Sequence, residues 1–216
     1  MTTGKMFTEK EAELLEEFIL NRRDVRGNRF LDKAVEDEIL ERLIFVALNA
    51  PSVGFSQPWE FVIVKDPVIK EQIKQTFNEE NNKASACFND EKQQEYIRLK
   101  LEGIIEAPVN IAVFYKPSTG PVLGQTSMEE VGLYSVVCAI QNMWLMARAL
   151  NIGMGWVSIL DPEKVKKILH APDSNKLVAY LCIGYVDKFS ERPELEILHW
   201  EKRKEKEAVV FFDRYK

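Results

Sequence analysis

The sequence predicts one α+β or α/β domain of three layers, with helices and strands intermixed along the chain. Three observations predict it. Four short runs rich in β-branched and aromatic residues, 59–64, 109–115, 155–159 and 177–186, are separated by segments with helical spacing. The 216 residues, 25.0 kDa, suit one domain and contain no internal repeat or linker. Apolar residues make up 46% and charged residues 29%, enough for a packed core and unlike a disordered chain.

The elements follow in order. Thr8 and Glu11 form a capping box, and Leu14, Leu15, Phe18 and Ile19 recur at helical spacing, so a first helix is predicted from Glu9 to Asn21. A second, Val35 to Asn49, carries Ile39, Leu43, Val46 and Ala47 on one face. It stops before Ala50-Pro51, because a residue preceding proline disfavours the α region. Trp59 to Val64 reads as a strand, and Pro67 opens a third helix through Phe77. Asn78 to Asp90 is polar and expected to be mobile, and Glu91 to Ile105 resumes helical spacing until Pro108. Val109 to Tyr115 is the second strand, Pro117 to Ser127 a loop, and Glu129 to Leu150 a long apolar helix. A short strand, Gly155 to Ile159, precedes a helix that Asp161-Pro162 opens as cap and first residue and that fades near His170. Leu177 to Val186 is nearly all apolar and is predicted to lie centrally in the sheet. The tail from Pro193 is charged and closes on Ala208 to Phe212.

Between Val131 and Ile152 apolar residues occupy every sector of the long helix. Such a helix must be covered all round, either wholly within one chain or, since four short strands cover it only partly, by a second subunit on one face; the second reading predicts a homodimer. Its uncharged stretch, 131–147, is shorter than the roughly 20 residues a membrane span needs. With Lys+Arg 29 against Asp+Glu 34, the net charge of −5 has the wrong sign for a nucleic-acid binder. Two histidines and three cysteines, without C-x-x-C or H-x-x-x-H spacing, exclude zinc, iron–sulfur and histidine-triad chemistry. Cys138 and Cys182 sit in apolar runs as free thiols, and the N-terminus has no apolar h-region. No signal peptide and a cytoplasmic location are therefore expected.

Three segments could carry chemistry. Arg22-Arg23-Asp24-Val25-Arg26-Gly27-Asn28-Arg29 sets four guanidinium groups at a helix end, suited either to a phosphate or to a solvated run favoured by the helix dipole. The loop from Ala50 to Trp59 could lay backbone N–H groups, Ser52 and Gly54 against a planar heterocycle, or be a plain turn. Gly153 and Gly155 mark the close approach of a ligand or of another backbone; with no trailing glycine and a preceding helix, they form no dinucleotide fingerprint. Ser158 has no histidine nearby in sequence to activate it as a nucleophile. His170 and His199 read as structural or exposed. Lys202, Arg203, Lys204 and Lys206 read either as cations for an anion or as a solvated face.

Together these segments resemble the nitroreductase superfamily of flavin proteins. The match extends through 22–26, 50–59, 99–104, 133–145, 155–159 and 180–187. General nitroreductases usually carry serine at the place of Asp24, and the aspartate is similar to the branch that fragments its flavin. The resemblance implies an α+β, three-layer nitroreductase-like fold: a mixed central sheet flanked by helices, in an intertwined homodimer with FMN at the subunit interface. It assigns Arg22, Arg23, Asp24, Val25, Arg26, Ser52, Gly54, Leu101, Ser158 and Arg203 to FMN binding. Asp24 and Ser158 are the expected proton handlers, and 78–103 is the expected lid.

In that branch reduced FMN and O2 give a C4a-peroxyflavin and then 5,6-dimethylbenzimidazole, the lower ligand of cobalamin, with D-erythrose 4-phosphate. NAD(P)H enters only through a separate flavin reductase. The alternatives are an NAD(P)H-dependent FMN reductase or nitroreductase that keeps its FMN, and a non-catalytic flavin carrier. No metal, nucleic acid or membrane is expected. Neighbouring arginines and burial act on Asp24 in opposite directions, so the sequence leaves the sign of its pKa shift open.

Overall fold

A computed structural model describes residues 3–215. The strands β1 (Trp59–Val64), β2 (Val109–Tyr115), β3 (Ile152–Val157) and β4 (Lys176–Tyr185) form one sheet in the order β1-β2-β4-β3. All three pairings are antiparallel, where a mixed sheet was expected. The β1–β2 and β3–β4 neighbours are also consecutive in sequence, and in both cases the helical connection returns the chain antiparallel beside the strand it left. The parallel component shrinks to one isolated bridge, Asp24 with Met154.

Alternation along the strands builds two cores. Val109, Ile111, Val113, Leu181 and Ile183 face Leu43 and Ala47 of α2 (Asp37–Leu48) and Ile140 and Met143 of α5 (Val131–Ala149). The intervening Ala112, Phe114, Tyr180 and Cys182 face Ile73 and Phe77 of α3 (Pro67–Ser85) and Val165 of α6 (Pro162–Ile168). The strand predicted to be central, β4, is central. α1 (Glu9–Asn21) caps as its box requires: Glu11 N–H donates to Thr8 Oγ1, and Thr8 N–H donates to Glu11 Oε2.

Four boundaries depart from expectation. The segment 78–85 is helical, because it contains neither proline nor glycine and continues α3 with a Lys83–Glu80 pair at 2.6 Å. α4 (Asp90–Arg98) ends before Ile105, since Leu99 turns extended and Glu102 is drawn inward to Lys74 at 2.6 Å and Lys100 at 3.3 Å. β3 begins at Ile152, so both glycines lie inside the strand. The charged tail contains a short helix, α7 (Glu194–Ile197). On α5, Tyr134, Val137 and Cys138 remain exposed, so the chain covers the long helix on only part of its surface. Among the described residues no helix is long and apolar enough to cross a membrane.

Both histidines hold the same backbone position. His170 and His199 each follow a helix cap in the left-handed region, at φ 52° and 57°. The next N–H returns to the helix, Ala171 to Lys166 O and Trp200 to Leu195 O, each at 2.9 Å. This is the Schellman closure, which favours glycine because it lacks a Cβ. His170→Gly is therefore expected to stabilise the fold by about 0.5–1 kcal/mol, a rise of about 1–4 °C in a thermal scan for a chain of this size. A lower melting temperature would show that the imidazole contributes contacts worth more than the strain.

Candidate active site

The arginine-rich segment leaves α1 and lies along the free edge of β3. Val25 N–H donates to Met154 O at 3.1 Å, and Trp156 N–H donates to Asp24 Oδ1 at 3.0 Å. Gly155 permits this approach, because a Cβ there would lie 2.0 Å from Val25 O; a Cβ at Gly153 would lie 2.3 Å from Val186 Cγ1. Gly155 thus admits a second backbone, one of the two readings left open by the sequence, whereas Gly153 makes room for the Val186 side chain.

The arginines divide by what their guanidinium groups hold. Arg23 donates through Nε to Ser190 O at 2.9 Å, through Nη1 to Leu20 O at 2.7 Å, and through Nη2 to Glu191 O. Arg26 donates to Leu101 O at 3.1 Å and Trp156 O at 3.0 Å and pairs with Asp24 Oδ2. Both fix backbone around the site. Arg22 lies 4.7 Å over the ring of Trp144, whose Nε1 donates to Arg23 O at 3.2 Å; among the described residues, no group accepts a hydrogen bond from the Arg22 guanidinium. Arg22, Asp24, Leu101, Leu195 and Leu198 line a cleft of about 150 Å³. Pockets that enclose a ligand run to roughly 300–1,000 Å³, so this cleft is smaller than an enclosing pocket.

Burial decides the sign for Asp24. It raises the carboxyl above its ordinary 3.8, against Arg26, the Trp156 N–H and Arg22, which favour the charged form. The side chain still keeps 33% of its surface exposed. Arg23 is lowered by burial first and then by the charges of Arg22, Arg148 and Arg203, so these cations converge on one region.

Of the other predicted residues, Ser52, Gly54, Ser158 and Arg203 do not line that cleft. Ser52 Oγ accepts from Gln57 N–H at 3.1 Å, and Val53 N–H donates to Ser135 Oγ at 3.1 Å, near the start of α5. Ser135 and Trp144 are nine positions apart on that helix (144 − 135), about 13 Å at 1.5 Å per residue. Within one chain, then, Ser52 and Gly54 do not join Arg22 and Asp24. The loop is strained: Gly54, Phe55 and Gln57 have φ of 54°, 54° and 48°. Ser56 Oγ is buried without a partner. Leu101 lines the cleft, Ser158 is exposed just past β3, and Arg203 is exposed in the tail.

The cleft fits the charged and planar parts of a phosphorylated ligand. Arg22 has unengaged donors beside a carboxyl and an apolar wall.

The sequence profile of the nitroreductase family matches residues 19–185. The chain belongs to the nitroreductase family. It is 44% identical over 206 residues to the 5,6-dimethylbenzimidazole synthase of Rhodospirillum rubrum, covering 94% of this chain and 97% of that protein. It is 36% identical over 197 residues to the 5,6-dimethylbenzimidazole synthase of Rhodobacter capsulatus, covering 90% and 94%. A crystal structure of oxidised iodotyrosine deiodinase bound to FMN and 3-iodo-L-tyrosine superposes with a TM-score of 0.73 at 23% identity, covering 93% of this chain and all of that one.

Within this family member, sequence reasoning missed Trp144, Leu195 and Leu198. Trp144 lies in a helix apolar on all sides, where nothing marks one aromatic as a platform. Leu195 lies in a four-residue helix that no side chain caps and Leu198 is that helix's C-cap, both embedded in charge. The only available signal was their spacing of three, with Ile197 between them, ahead of a charged run.

Proposed function

We propose that the chain, as a homodimer, fragments reduced FMN with O2 to 5,6-dimethylbenzimidazole and D-erythrose 4-phosphate, the pyrimidine portion of the flavin ring leaving as a separate oxidised fragment. The observation that carries the reading is Asp24: a carboxyl with a raised pKa, held on the β3 edge in a cleft beside Arg22. Its support is the 44% identity to a 5,6-dimethylbenzimidazole synthase over nearly the whole of both chains. Reduced FMN supplies the electrons and O2 the oxidant, so the protein need only bind, orient and move protons.

Arg22 and Arg203 would hold the phosphate and polar edge of the flavin, with Arg23 and Arg26 fixing the backbone beneath. Asp24 would hold or transfer a proton through its carboxyl oxygens, and the Ser158 hydroxyl would relay one by hydrogen bond. Residues 78–103 would exclude water as a lid. The partner subunit would bring the 50–59 loop, with Ser52 and Gly54, to the cleft. Three features favour that second copy: the exposed face of α5, the small volume of the cleft and the separation of the loop from Arg22.

The test supplies the protein with FMN, NADH, a separate flavin reductase and air, and looks for 5,6-dimethylbenzimidazole by mass spectrometry. Product accumulating only with the protein supports the reading. Intact flavin that cycles under NADH oxidation without the added reductase would instead identify an FMN reductase. Intact flavin without such turnover would leave a carrier.

A further inference from the structure

One cluster outside the cleft is unused by this chemistry. Phe88, just past α3, and Tyr96 of α4 stack at 5.2 Å, and Trp200 of the tail closes on them, 5.5 Å from Phe88 and 6.2 Å from Tyr96. Lys92 Nζ sits 4.0 Å over the Trp200 ring. Tyr96 is buried and donates its hydroxyl to Asn81 at 2.8 Å, so the platform is rigid on the lid side. On the other side Trp200 is the residue whose N–H closes α7 on Leu195 O, with left-handed His199 setting its direction. Leu195 lines the cleft, and Arg203 follows Trp200 by three residues in a segment without regular structure. Trp200 therefore fastens the lid helices to both a wall of the cleft and the arm that carries Arg203.

We propose that Trp200 is a positioning residue that couples the lid to the phosphate of the flavin, so that FMN orders α4 more than riboflavin does. The inference rests on the proposed role of Arg203 at the phosphate. A pull on Arg203 is passed through Trp200 to Phe88 and Tyr96, whereas a flavin lacking phosphate leaves the arm unengaged. Couplings between sites are commonly about 5–150-fold. A clasp of two aromatic pairs and one cation–π contact at Trp200 supports the lower part of that range, about tenfold.

The experiment measures amide hydrogen exchange across α4 in the full-length protein, saturated with oxidised FMN or with riboflavin. The variants are Trp200→Phe, Trp200→Ala and Arg203→Ala, with α2 amides as the control for folding. In the wild type FMN is expected to slow α4 exchange about tenfold more than riboflavin. Trp200→Phe keeps most of this difference, and Trp200→Ala and Arg203→Ala each abolish it. Tighter binding of FMN than riboflavin with equal α4 protection would overturn the coupling while leaving the flavin site intact. So would a difference that survives Trp200→Ala or Arg203→Ala. Failure of both flavins to bind would overturn the site and the coupling together.

Discussion

Asp24→Asn is expected to bind reduced FMN nearly as well as the wild type but to form 5,6-dimethylbenzimidazole about 10²–10⁴-fold more slowly, the usual contribution of a positioned proton donor or acceptor. The amide preserves shape and still accepts from Trp156 N–H, so the segment stays on the β3 edge. It loses the ability to take and return a proton, together with the charge that pairs with Arg26. Its pH behaviour checks the assignment. Because burial raises the Asp24 pKa above 3.8, the acid limb of product formation should lie above the ordinary carboxylate range. Arg26→Gln removes the largest influence favouring the carboxylate and should move that limb to still higher pH. The native state, with the higher pKa, holds its proton longer than the unfolded chain. Wild-type stability relative to Asp24→Asn is therefore highest below about pH 3.8 and declines as pH rises through the native pKa of Asp24. Product formation by Asp24→Asn at the wild-type rate would remove Asp24 from the proton path.

What the sequence made legible was local. The bounds of α1, β1 and β2 coincide with prediction, because a capping box and β-branched runs act within a few residues. The bounds that moved were set by distant partners. Leu99, Tyr96 and Ile104 have helical spacing, yet the chain leaves the helix at Leu99 because buried Glu102 meets Lys74, a residue 28 positions earlier, and Gly103 lets this segment touch Gly27. The candidate site divides in the same way. Four arginines around one aspartate can be seen in a string of eight letters. That Arg23 and Arg26 hold carbonyls up to 168 positions away and Arg29 pairs with Asp187 at 3.7 Å, leaving Arg22 as the guanidinium of the cleft with open donors, depends on where the chain returns. The sign of the Asp24 shift was closed to sequence for the same reason, since burial is a property of the fold.

Gly155→Ala is the second large effect, and it separates the position of Asp24 from its chemistry. A Cβ at residue 155 would lie 2.0 Å from Val25 O, a backbone atom that cannot rotate away, and 3.6 Å from Asp24 Oδ1. The 23–26 segment must lift from β3, lengthening the Val25–Met154 hydrogen bond and the Trp156 contact to Asp24. Overpacking of this kind costs about 1–3 kcal/mol, visible in chemical denaturation. A displacement of about 1 Å at a reacting group costs about 10²-fold in rate. Gly120→Ala is the control: a Cβ there meets nothing within 4 Å, so stability and product formation should hold. If Gly155→Ala remains folded, binds FMN and loses product while retaining its carboxylate, the placement of Asp24 on the β3 edge limits the reaction. Full activity in that variant would mean that the carboxyl works from a position other than the one β3 gives it.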